Sequence, residues 1–355
     1  MTKGRQWVLV KPYDGLPKRT DLELQKFEIP DLKDGEMLIA AEALSVDPYM
    51  RYWGSALKKG DTIMGQIVAR VVKSNNPGFK AGDRVSAFTG WVSHAVVSSH
   101  TSSDFVDLLN HFPVTKIPDS LKDYPPSLSL GVLGMPGLTA YFGILRVGKL
   151  KPKDTVFVNA AAGAVGSLVG QIAKIKYNRC TCKTTKQGCK VIGSTGSDEK
   201  VKYLTEELGF DAAFNYKVVT HDKLSETLSK LAPDGIDVFF ENVGGEASSV
   251  VYKHLNKNGR VAVCGSISNY NCPEDAMPKV TEFIQHLFYK SIQIQGFIVL
   301  EFMSEFEGAL KEMAGWMQEG KLKYREHVHK GFDKMFDAFM DLFAGNNIGK
   351  VVVTV

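Results

Sequence analysis

The sequence predicts an α/β protein in two parts: a β-rich barrel or sandwich, and a parallel sheet covered by helices on both faces. Three observations predict it. The first third carries short apolar or alternating runs separated by turn clusters. The middle alternates strand-like with helix-like segments, which argues for a parallel sheet. At 355 residues the chain is also long for one hydrophobic core, so two domains are expected.

The elements follow in order. Residues 7–10, 37–43, 63–72 and 95–97 read as strands, with turns at Asn75-Asn76-Pro77-Gly78 and Lys80-Ala81-Gly82-Asp83. The texture changes at Pro125-Pro126, and residues 136–148 are helical in pattern. Residues 155–159 form a buried-strand pattern. Residues 164–176 form a helix with Val165, Leu168, Val169, Ile172 and Ile175 at helical spacing. A strand at 190–193 leads to a helix at 197–208, with Ser197 as its N-cap. Strands at 236–240 and 260–263 have a helix between them, and 292–299 is a further strand. Helices at 301–318 and 332–343 precede a last strand at 351–353, which lacks a parallel partner of its own and is expected to return to the first domain. Residues 177–187 are polar and longer than the roughly 2–6 residues usual for a helix-to-strand loop.

Composition narrows the function. Hydrophobic residues make up 44% and charged residues 23%, an ordinary globular balance. The net charge of +4 comes without a long basic run, so no nucleic-acid partner is expected. No apolar stretch reaches the length of a membrane span, and no signal-like segment follows Met1. Five cysteines, an odd number, read as reduced thiols and point to the cytoplasm.

The run Val156-Phe157-Val158-Asn159-Ala160-Ala161-Ala162-Gly163-Ala164-Val165-Gly166 is a strand, a glycine-containing turn and a helix. Such a turn brings backbone N–H groups and a helix N-terminus to a pyrophosphate. The glycines alone would fit any tight turn; the strand before and the helix after make this a dinucleotide (Rossmann) signature. An NAD enzyme places a carboxylate at the end of the next strand to hold the ribose 2′-hydroxyl. Here the chain reads Gly193-Ser194-Thr195-Gly196, with Lys200 following, which favours NADP. Glu241-Asn242-Val243-Gly244-Gly245 and Cys264-Gly265-Ser266-Ile267-Ser268 are two further strand ends with small residues, open to ligand approach.

A catalytic zinc needs three ligands from Cys, His and Asp/Glu. The eight histidines and five cysteines are scattered over both halves. Cys180, Cys182 and Cys189 cluster, but their spacing matches no common zinc framework, so no metal site is expected. No G-x-S-x-G elbow occurs, which argues against a hydrolase of that type.

With these residues in view the chain resembles the zinc-independent members of the medium-chain dehydrogenase/reductase superfamily over nearly its whole length. The resemblance lies in Val46-Asp47-Pro48-Tyr49-Met50-Arg51, Gly134-Met135-Pro136-Gly137-Leu138-Thr139-Ala140-Tyr141-Phe142-Gly143 and the run from Asn159 to Gly166. It continues in Gly196-Ser197-Asp198-Glu199-Lys200, Phe214-Asn215-Tyr216, Asn242-Val243-Gly244-Gly245, Cys264 to Tyr270, and Gly345-Asn346-Asn347-Ile348-Gly349-Lys350. It implies a GroES-like catalytic domain at residues 1–124, a Rossmann NADP-binding domain at 125–317, and a return to the GroES-like domain at 318–355. It implies a homodimer in which the strand near Phe297 extends the sheet across subunits.

By the same resemblance Gly163, Ala164 and Val165 hold the pyrophosphate, Lys200 holds the 2′-phosphate, and Ala162 is a further cofactor-binding residue. Tyr216, Asn242, Cys264, Gly265, Ser266, Ile267, Ser268, Asn269, Tyr270, Phe297, Ile298, Val299 and Asn347 line the cofactor. Ala161 is the residue usual in this family where the common pattern has its first glycine. The extra residues between Lys176 and Gly188 depart from the family pattern, and a surface excursion is expected there.

The activity implied is NADPH-dependent reduction of a carbon–carbon double bond conjugated to a carbonyl, in enones, 2-alkenals and 15-oxo-prostaglandins. Charge then develops on the carbonyl oxygen, and Tyr270 is the candidate donor to it, with water or a ribose hydroxyl as rivals. Tyr49 and Trp53 are candidates to shape a pocket for a lipid chain. Quinone reduction, oxidation of a hydroxy-eicosanoid, and a non-catalytic NADPH-binding role remain as alternatives.

Overall fold

The computed structural model describes residues 3–99, 113–118, 121, 124–177, 188–277, 280 and 283–355. The chain divides into two compact units, Met1–Gly131 with Glu326–Val355, and Val132–Arg325. The breaks expected from sequence were 124/125 and 317/318. Cys180, Cys182 and the rest of the polar excursion from 178 to 187 lie outside the described residues.

The first unit opens with an antiparallel pair, β1 (Lys3–Leu9) and β2 (Leu22–Glu28). Next come β3 (Met37–Val46), the short helix α1 (Tyr49–Trp53), β4 (Gln66–Ser74), β5 (Arg84–Phe88), β6 (His94–Val97) and β7 (Thr115–Lys116). Trp7 and Trp91 are wholly buried within this unit. Three strands, β2, β5 and the two-residue β7, escape a sequence reading for a physical reason. In β2 only Leu22 is buried, and β5 and β7 are short, so none offers a sustained apolar period.

The second unit begins with α2 (Met135–Phe142) and then alternates as expected. Its strands are β8 (Thr155–Val158), β9 (Lys190–Thr195), β10 (Ala212–Asn215), β11 (Ile236–Glu241), β12 (Leu255–Val263) and β13 (Gln293–Gly296). Its further helices are α3 (Gly166–Tyr177), α4 (Asp198–Lys202), α5 (His221–Leu231), α6 (Gly245–Lys253), α7 (Ile284–Tyr289) and α8 (Phe306–Gln318). The sheet order is β10-β9-β8-β11-β12-β13, and every pairing is parallel. The chain enters at the centre, winds outward through β9 and β10, then crosses back to β11. That reversal is the topological switch point of a doubly wound sheet.

All four residues of β8 are buried, as a strand covered on both faces requires. Phe157, Ile192, Phe239 and Val261 from four adjacent strands share one core. Arg260 is buried and ion-paired with Asp154, and its Nε donates to the Gly148 carbonyl at 3.1 Å. This pair ties β12 to the turn that starts β8, at the amino end of the sheet.

Beyond the second unit the chain adds β14 (Glu326–Lys330), α9 (Met335–Ala344) and β15 (Lys350–Thr354) to the first. The completed sheet runs β14-β15-β3-β4-β5-β7, with β6 also on β3. β15 lies antiparallel to β3 and parallel to β14, so the last strand does have a parallel neighbour. Gly345, at φ +67°, takes the left-handed conformation that ends α9. The Lys350 ammonium is buried, 3.0 Å from an Asp47 carboxylate oxygen, and donates to the Val46 carbonyl at 2.7 Å. Among the described residues no helix is long and apolar enough to cross a membrane.

Candidate cofactor site at the carboxyl edge of the parallel sheet

Register alone gathers most of the expected residues. Val158 lies beside Gly193 and Phe240, Glu241 beside Val263, Val263 beside Gly296, and Asn215 beside Thr195. The segments that follow these positions therefore emerge along one edge of the sheet. They are the turn after β8, the start of α4, Tyr216, the loop from Asn242, the loop from Cys264 to Tyr270, and Phe297 to Val299.

The fingerprint turn is tight. Ala160 sits at φ +46°, rare for a residue with a side chain, and strain of this kind gathers at ligand sites. The Ala161 N–H donates to Ser194 on β9, and the Gly163 N–H closes the turn on Ala160. A Cβ at Gly166 would stand 2.6 Å from the Ala160 carbonyl oxygen and 2.8 Å from Ala161 Cα. Only glycine lets α3 start this close to the strand. Ala162 is buried, while Gly163, Ala164 and Val165 are partly open. The N–H groups of Ala164 and Val165 lie at the N-terminus of α3, where partial positive charge collects.

The next strand end carries cations. Ser197 caps α4 by accepting from the Lys200 N–H at 3.3 Å. Lys200 is buried, and its ammonium is held below the usual lysine range, first by burial and then by the positive charge of Lys217. Lys217 is a partner that sequence reasoning missed. It comes from the end of a different strand, β10, and a four-residue strand with one buried side chain gives no periodic signal. Tyr216, exposed, lies over Gly196, where a Cβ would approach its hydroxyl to 3.1 Å. Asp198, the nearest carboxylate in sequence, is taken up by the Asn215 amide at 3.0 Å.

A buried clamp joins the two strands flanking the switch point. Glu241 is 2% exposed, and its Oε1 accepts from Asn159 Nδ2 at 2.5 Å, the Val243 N–H at 2.7 Å and the Gly244 N–H at 2.9 Å. Asn159 in turn holds Asn242 through its backbone N–H at 2.7 Å and its amide at 2.9 Å. Glu241 and Asn159 thus fix Asn242, an expected cofactor residue. A lone Glu at a strand end carries no sequence signal for this.

The loop after β12 is laced onto the loop after β11. The Cys264 and Gly265 N–H groups donate to Glu241, Ile267 to Asn242 and Ser268 to Val243. The Cys264 thiol is pushed up to about 12, by burial and by the charge of Glu241, so it is no thiolate nucleophile. Ser266, Ile267 and Asn269 are half-buried and Ser268 is exposed. Tyr270 closes this 3-10 turn with its hydroxyl over Gly265, where a Cβ would stand 2.8 Å away.

Phe297 is buried against Phe240, with ring centroids 6.3 Å apart; Val299 is buried and Ile298 is 44% exposed. Asn347 belongs to the first unit, where its amide donates to the Gly349 carbonyl at 2.9 Å. Tyr49 also belongs to the first unit and is half-buried. Burial, and then the charge of Asp47, raises its phenol well above the usual range.

Comparison with known proteins places this geometry. Residues 5–104 match the family described as the N-terminal domain of oxidoreductase, and residues 164–315 the family described as zinc-binding dehydrogenase. Prostaglandin reductase 1 of Oryctolagus cuniculus is 47% identical over 99% of this chain and 93% of its own. The NADP(+)-dependent 2-alkenal reductase of Nicotiana tabacum is 38% identical over 99% and 97%. Among solved structures, CurA from Vibrio vulnificus in complex with NADPH superposes with a TM-score of 0.83 at 36% identity, covering 99% of each chain. The fold is that of a GroES-like domain with a Rossmann domain, and the chain belongs to the zinc-independent medium-chain dehydrogenase/reductase superfamily, in the branch that holds prostaglandin reductase 1.

Proposed function

We propose that this chain uses NADPH to reduce the α,β-carbon–carbon double bond of enones and 2-alkenals, 15-oxo-prostaglandins among them. It is an NADP-dependent oxidoreductase acting on CH–CH groups. The observation that carries the cofactor choice is Lys200, after the strand end where an NAD enzyme would present a carboxylate, with the charge of Lys217 felt there from the end of β10.

The residues fit the cofactor. Gly166 lets α3 start directly against the turn after β8, which brings the helix N-terminus and the backbone N–H groups of Ala164 and Val165 to the sheet edge for the pyrophosphate. Lys200 and Lys217 offer positive charge to a 2′-phosphate. Tyr216, Asn242, the residues from Cys264 to Tyr270, and Phe297, Ile298 and Val299 supply walls and polar partners along the same edge, and Asn347 is assigned to the same cofactor. When bound, NADPH supplies the hydride that reaches the β-carbon of the acceptor.

The chain's own part is to receive the charge that follows. Negative charge develops on the acceptor's carbonyl oxygen, and a hydrogen-bond donor placed there is worth a few kcal/mol. Tyr270 is assigned that role, as donor to the oxygen or source of the α-proton. The short turn that carries it is pinned to the end of β11 and the loop after it by four backbone hydrogen bonds from Cys264, Gly265, Ile267 and Ser268, which preorganises the phenol.

We further assign a homodimer joined along β13. The three described free cysteines, Cys189, Cys264 and Cys272, support a reducing compartment, the cytoplasm. Neither a membrane nor a nucleic acid is assigned as partner.

The test is NADPH consumption across enones, 2-alkenals, 15-oxo-prostaglandins and quinones. Turnover of the conjugated carbonyls with saturation of the double bond is expected. Turnover of quinones alone, or NADPH binding without turnover of any acceptor, would overturn the reading.

A further inference from the structure

The polar strand β14 has an unusual sequence, Glu-His-Val-His-Lys. His327 and His329 stand two residues apart, so both point to one face of the strand. Asp341 on α9 meets them there. Its Oδ2 lies 3.2 Å from His327 Nε2 and 3.0 Å from His329 Nε2, and the three ligand atoms lie within 4.8 Å of one another. Among the described residues no other three His, Cys, Asp or Glu side chains meet in this way. Histidines that look scattered in the sequence are therefore gathered by the fold.

We infer that His327, His329 and Asp341 form a binding site for a divalent transition-metal ion, Zn2+ foremost, on the first unit. The donor chemistry fits, since two imidazoles and a carboxylate are a common three-ligand set for such ions. The spacing fits too. Ligands about 2.0–2.1 Å from a tetrahedral centre stand roughly 3.3 Å from one another, close to both Nε2–Oδ2 separations here. The ring centroids are 5.1 Å apart and inclined by 58°, so the two rings do not stack, and both Nε2 atoms reach the same Asp341 oxygen.

The carboxylate is oriented from behind. Asp341 Oδ1 accepts from Asn346 Nδ2 at 2.8 Å, leaving Oδ2 turned to the histidines. Side-chain exposures of 34% for His327, 19% for His329 and 23% for Asp341 leave a way in for the ion and room for a water as fourth ligand. The inference does not depend on the proposed reductase activity.

The test uses the full chain without a polyhistidine tag, stripped by a chelator and titrated with ZnCl2 in a calorimeter. One saturable equivalent is expected, with a rise in melting temperature. The double variant His327→Gln/His329→Gln loses both responses while keeping the metal-free circular dichroism spectrum. Asn346→Ala weakens the zinc affinity about tenfold.

Cobalt(II) titrated into the unmodified chain needs no variant, so it decides the matter even where the double variant misfolds. It should give d–d absorption without thiolate-to-metal charge transfer. Less than one equivalent of zinc bound, saturable binding retained by a folded double variant, or a thiolate charge-transfer band would each overturn the assignment.

Discussion

Lys200 shows how a single side chain can select a cofactor. Keeping an ammonium buried beside a second cation is unfavourable, and the shift of Lys200 below the usual lysine range records this. A dianionic 2′-phosphate would relieve that cost, whereas a hydroxyl would not. A hydrogen bond to a charged group contributes about 1.5–3 kcal/mol, or roughly ten- to a hundredfold in affinity. Lys200→Ala should therefore raise the KM for NADPH by that factor and leave the KM for NADH almost unchanged, and Lys217→Ala should act in the same direction more weakly because Lys217 is exposed. Equal losses for both cofactors would remove the phosphate role. Tyr270 presents the complementary case. Removing its hydroxyl in Tyr270→Phe deletes a donor whose value is felt in the transition state, so kcat should fall by about 10²-fold with little change in NADPH affinity. An unchanged kcat would pass the donor role to water or to a ribose hydroxyl.

Between elements, the decisive contact is the start of α3 against the end of β8. A methyl at Gly166 would press on the Ala160 carbonyl and Ala161 Cα, both backbone atoms that cannot swing away. Gly166→Ala should destabilise the protein by about 1–3 kcal/mol, the usual cost of overpacking, and weaken NADPH binding by displacing the turn. Urea unfolding and cofactor titration read the two effects separately; wild-type behaviour in both would mean the turn tolerates the shift. This element was legible because its signature is local: an apolar strand, a glycine turn and an amphipathic helix follow one another without a break from Thr155 to Tyr177. The alternating strands of the second unit were legible for the same reason. What stayed hidden depends on partners distant in sequence. β10, β5 and β2 are too short or too polar to announce themselves, and β14 exists as a strand because β15 offers it a parallel edge. Lys217, the Glu241–Asn159 clamp and the His327–His329–Asp341 group follow from such pairings. Two helices also run on past their regular turns, through Gly143–Val147 and Tyr203–Glu207, as wider π-type turns that apolar spacing does not distinguish.

At the scale of the whole molecule, the parallel sheet poses an edge problem. Among the described residues β13 pairs with no strand but β12, and all four of its residues are exposed. Beside it in sequence stand Ile284, Phe288 and Tyr289 on α7, between 65% and 74% exposed, with Ile294 and Ile298 at 39% and 44%. An open edge strand with apolar neighbours invites another strand, and natural proteins blunt such edges with charge unless they use them. Here the strand reads Gln-Ile-Gln-Gly, with no charge at all. A second copy meeting it across a two-fold axis would continue the sheet and cover the same patch on both chains, an isologous contact that closes on itself. The chain should therefore elute in light-scattering chromatography at twice its own mass. Ile294→Lys places a cation on that edge and should shift the protein to single chains, with circular dichroism unchanged because the side chain projects outward. Single-chain mass for the wild type at micromolar concentration, or a dimer untouched by the lysine, would mean that β13 does not join the subunits.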